Sequence, residues 1–157
     1  MIKEALRDLR LLIFELRPQV LKNEGLVSAI EARLDAVENR SGFQINFIVE
    51  GKNNLPYQLE QGFYYFALES LTNALKHAKA DSLDIRLQFN QRSAVLEILD
   101  DGIGFDPNSL HEIGGLGIRG MMERAREIGA TLDINSELGK GTKVLAKVEF
   151  ENETAND

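Results

Sequence analysis

The chain has 157 residues, of which 43% are hydrophobic, and this fits one globular domain with a full core. The absence of cysteine excludes disulfides and thiolate metal sites, and a formal net charge of −7 argues against a broad surface for nucleic acid or an anionic membrane. No apolar run approaches the roughly 18 residues of a membrane-spanning helix, and the first residues do not resemble a signal peptide.

Residues 1–18 carry an apolar stripe typical of a helix that pairs with another helix. Its members, spaced alternately four and three residues apart, are Ile2, Leu6, Leu9, Ile13 and Leu16. Arg17-Pro18 ends this helix, and no capping residue precedes it. We therefore expect residues 1–18 to be half of a helical hairpin cut from a longer parent protein. The alternative is an amphipathic helix packed on its own domain.

The next segments predict a helix from about Asn23 to Arg40, a strand over residues 44–50, and a long helix from about Leu59 to Lys79. One side of the long helix is apolar, with Ala67, Leu71, Ala74 and Ala78, and the other is polar, with Glu69, Asn73, Lys76 and His77. An Asn oxygen with phosphate oxygens suits Mg²⁺, and a glutamate one turn away could orient or deprotonate a nucleophile. A solvated polar face is the alternative explanation.

Two alternating segments follow, residues 83–89 and 94–99, and predict a hairpin whose second strand ends at Asp100. A strand as apolar as residues 94–99 is expected in the interior of a sheet, where a carboxylate needs a partner. An amino group on a flat heteroaromatic ring suits Asp100, while Gly102 and Gly104 let the backbone approach that ring. A simple Asp-Gly turn is the alternative.

A polar loop, residues 105–113, leads to Gly114-Gly115-Leu116-Gly117, which opens a helix ending at Gly129. Glycines at a helix N-terminus suit phosphate, because backbone N–H groups and the helix dipole attract anions there. Two further strands are predicted over residues 131–137 and 142–150, and residues 151–157 form a disordered tail.

Four separated segments together resemble the Bergerat-fold ATPases, which include gyrase, Hsp90 and histidine kinases. In chain order they are Glu69-x-x-x-Asn73, Asp100-x-Gly102-x-Gly104, Gly115-x-Gly117 and Gly139-x-Gly141-Thr142. They are similar to the N box and to the first, second and third glycine boxes of that family. The resemblance implies an α/β (α+β) two-layer sandwich in which a mixed, mostly antiparallel sheet packs on helices, with residues 19–150 forming the ATP-binding domain.

Within this group, residues 73–78 and 117–125 resemble sensor histidine kinases. Leu16-Arg17-Pro18 and Gly25-Leu26 are similar to the subfamily that serves NarL-type response regulators. The resemblance therefore implies ATP and Mg²⁺ as ligands, a dimerisation hairpin in a homodimeric parent, and a NarL-type partner. We expect no nucleic acid, no direct membrane contact and a cytoplasmic location, while the anchoring of the parent stays open.

The resemblance also implies roles for individual residues. Asp100 would bind the adenine amino group, and Thr142 would support it through water. Asn73 would hold Mg²⁺, and Glu69 would lie near the γ-phosphate as a base or an orienting group.

Further residues of the family pattern would hold the triphosphate. Lys76 or His77 would contact phosphate, as would Arg119, while Gly115 and Gly117 would form a lid with the loop before them. Surface charge is the alternative explanation for Lys76, His77 and Arg119.

The histidine that accepts phosphate in such kinases lies on the first helix of the hairpin, and this chain starts on what resembles the second. His111-Glu112 mimics the acceptor dipeptide, but it lies in a polar loop and is interpreted as part of the lid. Two alternatives to phosphotransfer are ATP hydrolysis that drives dimer gating and a non-catalytic module that docks according to nucleotide occupancy.

One motif points elsewhere. Gly115-x-Gly117-x-x-Gly120, with Glu137 further on, matches the Rossmann dinucleotide fingerprint. A polar loop precedes these glycines where that fold has its first strand, so we reject the match.

Overall fold

The computed structural model describes residues 19–41, 43–76, 79–109 and 116–151. Its elements are α1 (Gln19–Glu24), α2 (Leu26–Ser41), β1 (Gln44–Glu50), α3 (Tyr57–Lys76), β2 (Ser82–Phe89), β3 (Ser93–Asp100), a 3₁₀ turn (Pro107–Ser109), α4 (Leu116–Ile128), β4 (Thr131–Ser136) and β5 (Thr142–Glu149). The predicted hairpin helix over residues 1–18 and the tail after residue 151 lie outside the described residues.

The strands form a five-stranded sheet in the order β1-β2-β3-β5-β4. β1 and β2 run parallel, with α3 as the crossover between them, and the other neighbouring strands are antiparallel. The prediction of a mixed, mostly antiparallel sheet is therefore confirmed. β3 occupies the central position, as its continuous apolar sequence indicated.

One face of the sheet packs on the helices. In β2 the side chains alternate strictly, so that Leu83, Ile85, Leu87 and Phe89 are buried while Asp84 and Arg86 are exposed. The buried face meets α3, which contributes Phe63, Phe66, Ala67, Leu71 and Ala74 to the same core. The fold is thus a two-layer α/β sandwich, and the apolar side of α3 is the side that the sequence predicted.

The helix predicted from about Asn23 to Arg40 is wrong at its start. Gly25 has a φ of 92° and separates the short α1 from α2, which begins at Leu26. Glu60 on α3 stabilises this second start, because its Oε2 accepts the Leu26 N–H at 2.8 Å and the Asn53 amide at 3.0 Å. The predicted start near Asn23 lay in the polar residues just before Gly25, and the apolar face of the helix begins only after this glycine.

The strand boundaries agree well with the sequence, whereas those of the long helix differ by two or three residues. Each predicted strand matches the observed one to within one residue at either end. The long helix runs from Tyr57 to Lys76, so it starts two residues before the predicted Leu59, and Lys79, where it was predicted to end, is not helical and has a φ of 48°. The last helix ends before Gly129, which has a φ of 71°. Across the described ranges, we find no helix with the length and apolar character needed to cross a bilayer.

Candidate functional site

Three polar residues lie side by side at one end of the sheet, where β3 and β4 end and β5 begins. Asp100 pairs with Thr142, and Thr142 pairs with Ser136. Counting by twos along each strand places all three on the helix-facing side, in line with the apolar residues Ile98 and Val144. We call Asp100, Thr142 and Ser136 the polar row.

Asp100 is a half-buried carboxylate held by backbone groups. The N–H of Gly102 donates to its Oδ1 at 2.9 Å, and the N–H of Thr142 also donates to it. Burial raises the pKa of Asp100 above its usual value, since these two hydrogen bonds offset only part of the desolvation, and the neighbouring charge of Asp101 adds to the rise. The carboxylate therefore keeps capacity to accept a further donor, which would favour its charged form.

Asp101 has a structural role, which the sequence did not reveal. Its Oδ1 accepts the N–H groups of Asp81 at 2.9 Å and Ser82 at 3.0 Å, and its Oδ2 accepts the Ser82 hydroxyl at 2.9 Å. These hydrogen bonds lower the pKa of Asp101. Because Ser82 is the first residue of β2, Asp101 ties the start of β2 to the end of β3.

The first and third glycine segments are packed against each other. Gly104 has a φ of 67°, and a Cβ on it would collide with the carbonyl oxygen of Glu137. The N–H of Gly139 donates to the carbonyl of Ile103 at 2.6 Å, and a Cβ on Gly141 would collide with the carbonyl of Asp100. Two segments far apart in sequence therefore form one backbone surface beside the polar row.

Gly117, the described glycine of the second segment, meets the polar side of α3. A Cβ on Gly117 would lie 2.5 Å from Glu69 Oε2 and 3.7 Å from Asn73 Oδ1. These two oxygens therefore face the same point at the start of α4, and they can be no further apart than the sum of those distances. At Glu69 and Asn73 the polar side of α3 faces the start of α4. The alternative of a fully solvated polar face is therefore wrong for these two residues.

α3 and α4 run antiparallel at close range, and small residues permit it. A Cβ on Gly120 would collide with the Tyr65 hydroxyl, and Arg124 lies 5.2 Å above the centre of the Tyr65 ring. The Gly117-x-x-Gly120 spacing that imitated a dinucleotide fingerprint thus marks two residues on one helix face. Only a face without side chains lets the start of α4 approach Glu69 and Asn73 this closely.

The remaining predicted residues are placed as follows. Lys76 is the last residue of α3 and is half-buried, and Arg119 is exposed in the first turn of α4. His77, His111 and Gly115 lie outside the described residues. In the described part of the chain, no group of three or more His, Cys, Asp or Glu side chains is arranged to hold a metal ion.

Sequence patterns singled out neither Ser136 nor Asp101. A second carboxylate directly after Asp100 is a visible signal, because two adjacent acids at the end of a strand seldom both face the same ligand. Ser136 offered no local signal. Its importance follows from strand register, which brings it opposite Thr142.

The fold and the arrangement of the glycine segments define an ATPase-type nucleotide domain. Residues 58–152, more than half of the chain, match the family described as histidine kinase-, DNA gyrase B-, and HSP90-like ATPase. The chain belongs to this family, and it contains the ATPase domain that its histidine kinase members carry.

Two similar proteins are both named as histidine kinases. An uncharacterized sensor-like histidine kinase of Chloroflexus aurantiacus is 35% identical over 153 residues, covering 92% of this chain and 26% of the relative. The oxygen sensor histidine kinase NreB of Staphylococcus carnosus is 33% identical over 142 residues, covering 90% of this chain and 41% of the relative. The chain thus spans less than half the length of either.

Solved structures agree on the fold. The histidine kinase domain of the blue-light activated histidine kinase from Erythrobacter litoralis EL346 superimposes with a TM-score of 0.62 at 23% identity, covering 80% of this chain and 59% of that one. The two-layer architecture predicted from the glycine motifs is therefore confirmed by structure as well as by sequence.

Proposed function

We propose that this chain is the ATP-binding catalytic domain of a sensor histidine kinase, which binds Mg-ATP and transfers the γ-phosphoryl group to a histidine on a dimerisation hairpin. The observation that carries the proposal is the meeting of Glu69, Asn73 and Gly117 at the start of α4. The polar row, at the end of β3 where Asp101 holds the start of β2, would supply a second polar surface for the base.

Asp100 is suited to read the adenine amino group. An ionised carboxylate accepts hydrogen bonds only, and two backbone N–H groups already orient this one. Gly102 and Gly104 place bare backbone next to it, where a flat ring can approach. Thr142, the neighbour of Asp100 in the row, would complete recognition of the base edge through a water molecule.

The triphosphate would lie at the start of α4. Glu69 and Asn73 present hard oxygen donors to one point there, and such donors fit Mg²⁺, which binds few protein ligands and retains waters and phosphate oxygens. We assign Asn73 as the protein ligand. When bound, the ion supplies positive charge beside the phosphate oxygens.

The same helix start provides anion-binding N–H groups and the positive end of the helix dipole. We propose phosphate contacts for Lys76, Arg119 and His77. Gly117 and Gly115, with the loop before them, would form the lid. Positioning of this kind supplies most of the catalysis in phosphoryl transfer.

In the transfer step, the bond between the γ-phosphorus and the β,γ-bridging oxygen breaks and a phosphorus–nitrogen bond to the acceptor imidazole forms. The negative charge that develops on the bridging oxygen leaves with ADP. Glu69 would orient the acceptor imidazole and accept the proton that the imidazole ring loses.

Hydrolysis of ATP is the second candidate, and Glu69 is the observation that favours it. A carboxylate one turn from the metal ligand can orient water as well as imidazole. Hydrolysis would give steady phosphate release without a phosphohistidine.

The remaining partners are proposed from the motif resemblance. They are the dimerisation hairpin in a homodimeric parent and a NarL-type response regulator, and we place the domain in the cytoplasm. A family that contains histidine kinases, and two relatives that carry that name, support this assignment.

The test uses this chain with a separately prepared hairpin that carries the parent's histidine, labelled ATP and Mg²⁺. Acid-labile label on the hairpin supports kinase activity, and Asp100→Asn should reduce it at ATP concentrations near the wild-type Kd. Phosphate release without labelled hairpin would support hydrolysis instead. Failure of the chain to bind ATP at all would reject both readings.

A further inference from the structure

Ser70 on α3 is a buried polar side chain with no role in the site described above. Its residue is only 5% exposed, and among the described residues nothing forms a hydrogen bond with its hydroxyl. A serine inside a helix commonly points to solvent or donates to the carbonyl oxygen four residues earlier, and Ser70 does neither. A buried hydroxyl that lacks a partner costs free energy, so its presence requires an explanation.

Ser70 lies on the side of α3 that faces the sheet. At about 100° per residue, it lies between Phe66 and Ala74, about 40° from each, and both of these residues are fully buried. α3 packs against β3 and β5. The hydroxyl of Ser70 is therefore directed towards these two strands, whereas Asn73 on the adjoining side faces the start of α4.

Two hydrogen bonds show where Ser70 lies relative to the polar row. The Ala80 N–H donates to the carbonyl of Ala74 at 3.4 Å, and the next N–H, that of Asp81, donates to Asp101 Oδ1 at 2.9 Å. The last turn of α3 is thus held at the end of β3 that bears the polar row. Ser70 is one turn further into the core, at the inner end of the space between α3 and the polar row.

We propose that Ser70 is a further nucleotide-binding residue, whose hydroxyl contacts the purine base through one ordered water molecule. The hydroxyl can donate one hydrogen bond and accept others, and a bridging water is nearly as favourable as a direct contact. Its partner would then arrive with the ligand, which explains an unpaired hydroxyl in the free protein. The role rests on the proposed nucleotide site and adds a residue of α3 to the base side of that site.

Ser70→Ala separates this role from a structural one, because it should affect affinity and stability differently. The hydroxyl has no described protein partner to lose, so the thermal midpoint of the free chain should stay the same or rise by about 2 to 4 °C. ADP affinity, measured by calorimetry, should fall about threefold to tenfold, as for the loss of one neutral hydrogen bond.

Ser93→Ala is the matched control. It removes the same group at the opposite end of β3 from Asp100, where Ser93 Oγ accepts the Asn90 amide at 3.3 Å. It should leave ADP affinity within about twofold of the wild type. Should Ser70→Ala fail to fold, Ser70→Cys, which is of similar size and donates only weakly, takes its place.

Measurements with and without Mg²⁺ separate the base from the phosphates. A contact with the base should lose the same factor in both conditions, since the metal would lie at Asn73 and the triphosphate. A loss that appears only with Mg²⁺ would place Ser70 in the metal site and overturn the inference.

The other outcomes are equally distinct. ADP affinity that stays within about twofold of the wild type in Ser70→Ala would overturn the inference and leave the ATP site intact. An affinity loss together with a lower midpoint of the free chain would make Ser70 a structural residue, which also overturns it. Absence of ADP binding to the wild-type chain would reject the proposed function itself. Weaker binding in both conditions, in a chain that is no less stable, supports the inference.

Discussion

Gly117 at the start of α4 lies directly against the carboxylate of Glu69 on α3, so closely that a Cβ would stand 2.5 Å from Oε2. This contact brings the start of α4 and the polar side of α3 together. It also explains the glycine at this position by space alone, since a helical residue does not need its conformational freedom.

Gly117→Ala should leave the fold intact and damage the chemistry. The added methyl meets the end of a flexible side chain, so Glu69 can move away at modest cost. We expect phosphoryl transfer or hydrolysis to fall at least about tenfold, since small displacements of reacting groups cost about this much or more. ADP affinity, which depends more on the base, should change far less.

Gly120→Ala is the matched control for Gly117→Ala. It adds the same methyl on the same helix face, but the methyl meets the Tyr65 hydroxyl and not Glu69. Rates measured with saturating ATP compare the two variants. Equal losses would mean that α4 is merely displaced as a body and that Glu69 has no special part.

Asp100→Asn should remove most of the nucleotide affinity without unfolding the domain. The amide loses the negative charge and half of the acceptor capacity that the adenine amino group needs. We expect a loss of about tenfold or more by titration calorimetry, at the strength of a charge-assisted hydrogen bond. Asp133→Asn, an exposed acid on β4, is the control, and unchanged ATP affinity in Asp100→Asn would remove the pocket assignment.

Nucleotide affinity should depend on pH through Asp100. Burial raises the pKa of this carboxyl above 3.8, so in the free protein it takes up a proton at a higher pH than an ordinary aspartate does. Binding of ADP should therefore weaken as pH falls through that raised pKa, by up to about tenfold per pH unit below it. Calorimetry in buffers of different ionisation enthalpy should detect the coupled proton, and Asp100→Asn should lose this dependence.

The same shift has a second, opposite consequence for the unliganded fold. Since the native state binds the Asp100 proton more tightly than the unfolded state does, the contribution of this group to the free energy of unfolding declines as pH rises through the raised pKa. Burial of Asp100 therefore lowers the stability of the unliganded domain above the raised pKa. It also leaves a carboxylate that can accept a hydrogen bond from a ligand.

Asp101 should behave in the reverse sense. Its hydrogen bonds with Ser82 and Asp81 lower its pKa, so its contribution to stability is complete above the unfolded value of 3.8 and is lost as pH falls through the lowered one. Asp101→Asn should lower the thermal midpoint at neutral pH and flatten its acid dependence below about pH 4. A midpoint that follows the wild type across this range would contradict the tie between β3 and β2.

Asn73→Asp tests the proposed metal ligand. The change keeps the side-chain oxygen that would bind Mg²⁺ but adds a negative charge beside Glu69. It therefore alters the metal site and leaves the base-binding surface unchanged. We expect transfer with Mg²⁺ to fall about tenfold to a hundredfold, as for other altered metal ligation. Binding of ADP without metal should stay close to the wild-type value. A uniform loss in both assays would argue that Asn73 only supports the fold.

Local sequence patterns predicted most of the elements that bear the candidate site residues. The alternation in β2, the apolar run of β3 and the turn glycines between β4 and β5 each depend on nearby residues, and their elements agree with the structure to within one residue. The polar side of α3 was visible for the same reason. Gly25 shows the limit, because its positive φ separates two helices where the sequence predicted one helix starting near Asn23.

The amino-acid sequence alone predicted the five strands, the order of the four motifs and the candidacy of Asp100 and Asn73 as site residues, since these depend on spacing along the chain. Only the tertiary structure decided that Glu69 faces Gly117, that Asp101 holds β2, and that Ser136 completes the polar row. Those relationships depend on strand register and helix approach, which join residues far apart in sequence. Spacing along the chain carries no information about them until the core packs.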